Sequence, residues 1–103
     1  MKELDIAGVT VKLDDEGYLI DSSQWNVDIA KGIATQSGLE LTDKHIEVLK
    51  YLRDTFNAGE TLTIRKVGKS GIVNIKEFYK LFPKGPLKLS SKCAGLPKPT
   101  SCV

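Results

Sequence analysis

The sequence predicts an α+β domain in which a small N-terminal β-hairpin packs on a bundle of about four helices. Three observations predict it. Apolar and polar residues alternate over residues 4–13, as they do in a half-buried hairpin. Residues 43–57 carry apolar side chains at helical spacing, and Asn74 is followed by Glu77 in the pattern of a helix capping box. The chain has 103 residues and 41% hydrophobic content, which is enough for one modest core.

The hairpin is expected to pair residues 4–6 with residues 9–13 around a turn at Ala7-Gly8. Residues 14–17, with three acidic side chains and a glycine, form a second turn. Residues 18–20 are apolar and can add a short extended piece beside the hairpin.

The first helix is expected to begin after a cap at Ser22 or Ser23 and to run to about Ser37, where Gly38 ends it. Its apolar residues recur at helical spacing and should face the core. Trp25 is the largest of them and is expected to anchor the core where this helix meets the hairpin. The inward-facing set is Trp25, Ile29, Ala30 and Ile33.

The second helix is expected over residues 43–57, after a cap at Thr42. His45, the single histidine, falls in its first turn, and we expect it to be structural rather than catalytic. The apolar residues that should face the core are Ile46, Leu49, Leu52 and Phe56.

Two shorter helices are expected over residues 62–69 and 74–82, separated by Ser70-Gly71, and Pro83 ends the second. Their order resembles a helix-turn-helix, so a DNA-binding regulator is an alternative function. The core-facing residues of the last helix would be Ile75, Phe78, Tyr79 and Phe82, and the phosphate contacts would come from Arg65, Lys66, Lys69, Lys76 and Lys80.

The chain is expected to divide into a globular domain, residues 1–86, and a mobile C-terminal arm, residues 87–103, that carries both cysteines. Pro97, Pro99 and Gly95 disfavour helix and central strand, and they favour an extended, partly stiff segment. A thiol one residue from the end of the chain cannot lie in an ordinary core. The pattern therefore indicates a reactive thiol at the tip of an arm.

Charge is divided between the two halves of the chain. Residues 1–59 carry six basic and eleven acidic side chains, a net charge of −5, whereas residues 60–103 carry nine basic and two acidic ones, a net charge of +7. A basic half suits an anionic partner surface, an anionic substrate such as a sulfur oxyanion, or nucleic acid. The basic face is expected to comprise Arg65, Lys66, Lys69, Lys80 and Lys84.

The composition argues against several other classes of protein. No run of residues has the length of a membrane span, and residues 1–5 lack the apolar stretch of a signal peptide, so we expect a cytoplasmic protein. One histidine and two cysteines do not form a metal-ligand pattern. We expect no bound metal or cofactor, and a monomer when the protein is free.

Four stretches of the sequence resemble the DsrC/TusE family, which comprises the gamma subunit of dissimilatory sulfite reductase and its relative in the sulfur relay for tRNA thiolation. Together they span nearly the whole chain. The two later stretches are the more specific, because a proline-flanked tail with a penultimate cysteine is not a product of core packing. The stretches are residues 15–25 (with Asp-Glu-Gly-Tyr-Leu and Ser-Gln-Trp), 48–54, 79–86 and 94–103.

The resemblance implies that Cys102 is the sulfur-bearing thiol and that residues 95–99 (Gly95, Leu96, Pro97, Lys98 and Pro99) form a partner-binding arm. Family members with two arm cysteines have ten residues between them, which places the upstream cysteine at the position of Ser91 in this sequence. Cys93 lies nearby and is a possible resolving thiol. Two prolines between Cys93 and Cys102 restrict the closure of a disulfide.

The function implied by the resemblance is that of a sulfur carrier rather than a stand-alone enzyme. It would hold sulfur on Cys102 as a persulfide or mixed disulfide. Its partners would be the catalytic subunits of dissimilatory sulfite reductase or, in the TusE-like alternative, upstream persulfide sulfurtransferases that serve tRNA 2-thiolation. Two alternatives from other classes are a DNA-binding regulator and a purely structural subunit of a larger enzyme.

Overall fold

The structure, a computed structural model, describes residues 2–83 and 85–99. It confirms the predicted α+β architecture of a two-stranded antiparallel hairpin and a set of helices. The strands are β1 (Lys2–Ile6) and β2 (Val9–Leu13). A 3-10 helix (Ser22–Gln24) precedes α1 (Val27–Gln36), α2 (Asp43–Asn57), α3 (Ile64–Gly68), α4 (Ile75–Leu81) and α5 (Pro86–Cys93).

The hairpin turns at Ala7-Gly8 as predicted, and its register places Leu4 opposite Val11. Leu19 pairs with Leu13 in an isolated bridge, which confirms the short extended piece after the second turn. The hairpin sits on α1 through Ile6. A Cβ atom at Gly32 would lie only 2.6 Å from Cγ2 of Ile6, so the strand approaches the helix as closely as a glycine allows.

The first helix begins later than predicted. Asp21, not Ser22 or Ser23, caps the 3-10 helix, and its side chain accepts a hydrogen bond from the backbone N–H of Ser23. Asn26 then caps α1, accepting from the N–H of Ile29 over 2.9 Å. The two caps divide the segment into two helices because Trp25, between them, has an extended backbone.

Helix α2 has the predicted bounds and the predicted cap at Thr42. Its inward face is rotated relative to the prediction. Phe56 is 41% exposed, because the buried stripe passes instead through Thr55 near the end of the helix. The buried residues of α2 are His45, Val48, Leu49, Leu52 and Thr55, and Ile46 is half-buried.

The capping box that begins α4 is confirmed, since Asn74 and Glu77 exchange side chain to backbone hydrogen bonds of 2.8 and 3.1 Å. Phe78 and Phe82 are fully buried as predicted. Ile75 and Tyr79 are not. They remain nearly half exposed on the outer face of the helix, because α4 is only seven residues long and packs through one side.

The prediction of an extended arm from residue 87 is corrected by α5. Pro86 occupies the first position of this helix, where its missing N–H costs nothing and its fixed φ favours the helix. Gly85 precedes it with a φ of +94°, which turns the chain into the helix. Leu87, Ser90, Ser91 and Cys93 are buried, and α5 contacts α1, α2 and α4. The segment is therefore part of the core.

Within the described part of the chain, no helix is both long enough and apolar enough to cross a membrane.

Candidate functional site

The chain leaves the core after Leu96, three residues beyond the end of α5. The helix ends at Cys93, Gly95 turns the chain with a φ of +69°, and Leu96 returns to the core with no exposed surface. Pro97 and Lys98 are exposed on the surface beyond it. Cys102, the predicted sulfur-bearing thiol, lies outside the described residues. The part of the site that the structure describes is residues 93–99, which lead to Cys102.

Cys93 lies inside the core, with no exposed surface. Burial raises the pKa of its thiol to about 12, and the neighbouring Lys92 opposes the shift only in part. Because the thiolate is the nucleophilic form, the buried thiol is chemically quiet at neutral pH. Cys93 is therefore not an accessible thiol, although it lies close to Gly95 and Leu96 in the chain.

Trp25 holds the end of α5 from the N-terminal side of the molecule. Its indole N–H donates a hydrogen bond of 2.8 Å to the carbonyl oxygen of Cys93. Its ring lies against Gly95, where an added Cβ would be 2.5 Å from Cδ1 of the ring. Trp25 therefore joins the C-terminal segment to the residues before α1, rather than joining a helix to the hairpin as predicted.

Arg53, on α2, holds the next carbonyl along. Its Nη1 donates a hydrogen bond of 2.8 Å to the carbonyl oxygen of Ala94, and its two terminal nitrogens donate to the side chain and carbonyl of Ser22 at 3.1 Å each. The guanidinium also stacks 4.6 Å from the centre of the Trp25 ring. Burial lowers the pKa of Arg53, which Asp54 partly opposes. We call Trp25 and Arg53 the latch.

Beyond the latch, the segment touches two parts of the surface. Lys98 forms an ion pair of 3.0 Å with Glu16, and both side chains are about half exposed, so the pair contributes little free energy. Pro97 and Pro99 line an open groove of about 360 Å³, together with Phe56 and Leu62. The exposed ring of Phe56 thus belongs to the surface beside the emerging segment.

The predicted basic face is only partly brought together. Arg65, Lys66 and Lys69 line one shallow depression on α3, whereas Lys80 lies on α4 and Lys84 lies outside the described residues. Lys66 is paired with Glu60 at 3.5 Å. Among the residues that the structure describes, no acidic side chain forms an ion pair with Arg65, Lys69 or Lys80.

Ser91 occupies the position where two-cysteine members of the resembled family have their second arm cysteine. It is fully buried in α5, and its hydroxyl has no hydrogen-bond partner within residues 2–83 and 85–99. This position thus offers neither a thiol nor an exposed side chain.

His45 is committed to structure, in keeping with the prediction. Its Nδ1 accepts a hydrogen bond of 3.0 Å from the backbone N–H of Thr42, so Nε2 carries the proton and donates to the carbonyl of Leu81 over 2.8 Å. Its ring packs edge-on against Phe82. Both ring nitrogens are used, and neither faces the C-terminal segment.

Within residues 2–83 and 85–99, no group of three or more histidine, cysteine, aspartate or glutamate side chains is placed to hold a metal ion. The expectation that the chain binds no cofactor stays a prediction.

The latch is a structural feature that the sequence does not predict. Trp25 was assigned to the interface with the hairpin, and Arg53 was not singled out. A faint signal exists in the sequence, because an arginine near the end of a largely apolar stripe has to find polar partners. The carbonyls it finds belong to Ser22, 31 positions earlier in the chain, and to Ala94, 41 positions later. No local pattern contains that information.

A family model described as "DsrC like protein" matches residues 5–103. The TusE homolog sulfurtransferase of Haemophilus influenzae is 41% identical over 97% of this chain and 99% of its own length. Sulfurtransferase TusE of Escherichia coli K12 is 39% identical over 93% of this chain and 95% of its own length.

Two solved structures of DsrC proteins are similar to this chain over almost its whole length. The oxidized gamma subunit of the dissimilatory sulfite reductase (DsrC) from Archaeoglobus fulgidus superposes with a TM-score of 0.86 and 36% identity, covering 99% of this chain and 100% of the other. DsrC of Allochromatium vinosum gives a TM-score of 0.86 and 34% identity, covering 99% and 98%.

Proposed function

Because the chain belongs to the DsrC-like family, we propose that it is a sulfur carrier that holds sulfur on Cys102 and passes it on. One observation carries the proposal: the family match runs to residue 103 and so includes the penultimate cysteine. The latch supports it, because it fixes the root of the segment that bears this thiol.

The chemistry requires only one thiol on this chain. The Cys102 thiolate attacks the outer sulfur of a donor persulfide; a new S–S bond forms, the donor's S–S bond breaks, and the donor leaves as a thiolate. The resulting persulfide on Cys102 then gives its outer sulfur to the thiolate of an acceptor in the same way. Neither step needs an oxidant, and each is a transfer between thiols.

The finer role has two versions. In the first, the chain is the gamma-subunit partner of dissimilatory sulfite reductase, in which a second thiol would resolve the sulfur held on Cys102. In the second, it is a relay of the TusE kind with one working thiol. The burial of Cys93 and the presence of Ser91 at the upstream position favour the relay. The partners would accordingly be sulfurtransferases that carry persulfides.

The proposal is tested by intact-mass spectrometry after incubation with glutathione persulfide. The wild type and Cys93→Ser are expected to gain one sulfur atom, and Cys102→Ser is not. A sulfur atom that stays on Cys102→Ser would contradict the assignment of the carrier thiol. If no variant gains sulfur, the carrier mechanism fails.

The DNA-binding alternative makes a separate prediction. It requires binding to duplex DNA that weakens steeply with salt and that persists when residues 97–103 are deleted. Fluorescence anisotropy with a labelled duplex at two salt concentrations measures this. The structural-subunit alternative requires that Cys102→Ser leave pathway activity intact.

A further inference from the structure

A carrier with two thiols near each other in the chain can lose its cargo. If the Cys93 thiolate attacked the inner sulfur of a Cys102 persulfide, a disulfide would form between Cys93 and Cys102, and the outer sulfur would leave as hydrosulfide. The Cys93 S–H proton would go to solvent. Only eight residues separate the two cysteines, so chain length alone permits the reaction.

We propose that Trp25 and Arg53 are positioning residues that keep Cys93 from attacking sulfur held on Cys102, and so direct the sulfur to the acceptor thiol. This inference rests on the proposed carrier function. It assigns the choice between two products, transferred sulfur and released hydrosulfide, to two side chains that lie outside the helix that bears Cys93.

The core encloses the Cys93 thiol. Cys93 has no exposed surface, and Ala94 and Leu96 on either side of Gly95 have none either. For its sulfur to reach a persulfide outside the core, the last turn of α5 has to unwind and Leu96 has to leave its place in the core.

Two backbone hydrogen bonds hold that turn closed. Ala94 donates its backbone N–H to Ser90 over 2.8 Å, and Leu96 donates to Ser91 over 3.1 Å. These bonds belong to the end of a helix of only eight residues, which frays easily without tertiary support.

Trp25 and Arg53 support that turn from outside α5. The carbonyls of Cys93 and Ala94 are among the last of α5. No later backbone N–H of the helix is available to donate a hydrogen bond to them. Trp25 donates a hydrogen bond to the carbonyl of Cys93, and Arg53 donates one to the carbonyl of Ala94. The donor–acceptor distance is 2.8 Å in each. Because the donors come from the segment before α1 and from α2, opening the turn breaks contacts with two other parts of the fold.

The experiment measures hydrosulfide release after loading with glutathione persulfide and removal of the excess reagent. The variants are Trp25→Phe, which keeps an aromatic ring beside Gly95 but removes the N–H donor, and Arg53→Met. Lys50→Met is the matched control, because Lys50 is an exposed residue of the same helix as Arg53. Each variant is also made with Cys93→Ser.

Release is expected to rise at least about tenfold in Trp25→Phe and Arg53→Met, to stay unchanged in Lys50→Met, and to return to the wild-type rate when Cys93→Ser is added. The product of the fast reaction should be a chain two hydrogens lighter than the reduced form. Restoration by Cys93→Ser separates this role from a general loss of stability, which would not depend on that thiol.

Two outcomes overturn the inference. One is a release rate that is unchanged in both latch variants, and the other is a rise that persists with Cys93→Ser. Labelling of Cys93 by iodoacetamide provides a second measurement that needs no persulfide: the latch variants should label at least about tenfold faster at Cys93 and equally fast at Cys102. Failure to load sulfur on Cys102 in any variant would overturn the carrier function itself, whatever the labelling rates.

Discussion

The indole nitrogen of Trp25 lies 2.8 Å from the carbonyl oxygen of Cys93, a residue 68 positions later in the chain. This hydrogen bond ties the entry to α1 to the exit from α5. Since the bond joins the residue before Asn26, the cap of α1, to the last residue of α5, we expect a change at Trp25 to affect residues 94–96, which follow this helix.

Gly95→Ala should strongly destabilise the protein. The residue has a φ of +69°, and an added Cβ would lie 2.5 Å from the Trp25 ring. We expect a loss of about 3 kcal/mol in the free energy of unfolding, from backbone strain together with overpacking. Urea denaturation measures it. Gly59→Ala is the control, because Gly59 has a φ of +80° with open space around it and should lose only about 1 kcal/mol.

If Gly59→Ala and Gly95→Ala lost equal free energy, the contact between Gly95 and Trp25 would not be a constraint on the fold.

Arg53→Lys should not substitute for the native residue. A lysine keeps the positive charge but cannot donate to Ser22 and Ala94 at once with the planar fork of a guanidinium. We expect Arg53→Met to lose about 3 kcal/mol in the free energy of unfolding and Arg53→Lys to lose more than half of that. Chemical denaturation of both variants beside Lys50→Met checks it. Full recovery of stability in Arg53→Lys would mean that charge alone matters at this position.

Cys93 should make stability fall at alkaline pH. Burial raises the pKa of the folded-state thiol to about 12, from an ordinary value of 9.0. The contribution is therefore fully present below pH 9, where both states are protonated, and it is lost as pH rises from 9 towards 12, because only the unfolded state ionises. The loss should approach about 1.4 kcal/mol per pH unit in that window.

The measurement is the difference in free energy of unfolding between the wild type and Cys93→Ala at pH 7, 10 and 11. Tyr18, whose pKa burial also raises, is common to both proteins and cancels. A difference that does not change between pH 7 and pH 11 would show that the Cys93 thiol is accessible to water.

His45→Ala should lower the stability of the fold without changing the reactivity of the Cys102 thiol. The variant removes the hydrogen bond to Leu81 and the side chain to backbone cap at Thr42. A loss of about 2–3 kcal/mol in the free energy of unfolding is expected, including the small cavity beside Phe82. Alkylation of Cys102 by iodoacetamide should proceed at the wild-type rate. A slower rate would point to a part for His45 in activating the thiol.

The sequence predicts the long elements well because their signals are local. Helix α2 has a polar cap, four turns of apolar periodicity and a glycine just past its end, and its bounds are confirmed. The capping box of α4 is likewise contained within four residues. The facing of Phe56 was predicted wrongly, since the buried stripe of a helix depends on which neighbours cover its last turn.

Helix α5 was missed for a different reason. A proline after a glycine and a run of lysines and serines are typical of a linker, and the same proline is also favourable at the first position of a helix. What decides between the two is tertiary: Leu87 and Cys93 bury their side chains against α1 and α2. The latch was missed because its donors and acceptors are distant in the chain.

The burial of Leu96 sets the length of the tether that carries the thiol. Cys102 follows Leu96 by six positions. Its sulfur can therefore lie no farther than about 20 Å from the point where the chain leaves the core. In the proposed carrier function, an enzyme that exchanges sulfur with Cys102 therefore has to bring its own reactive atom to within that radius. The surface around Pro97 and Phe56 must then come close to the enzyme, and its shape limits which enzymes can approach.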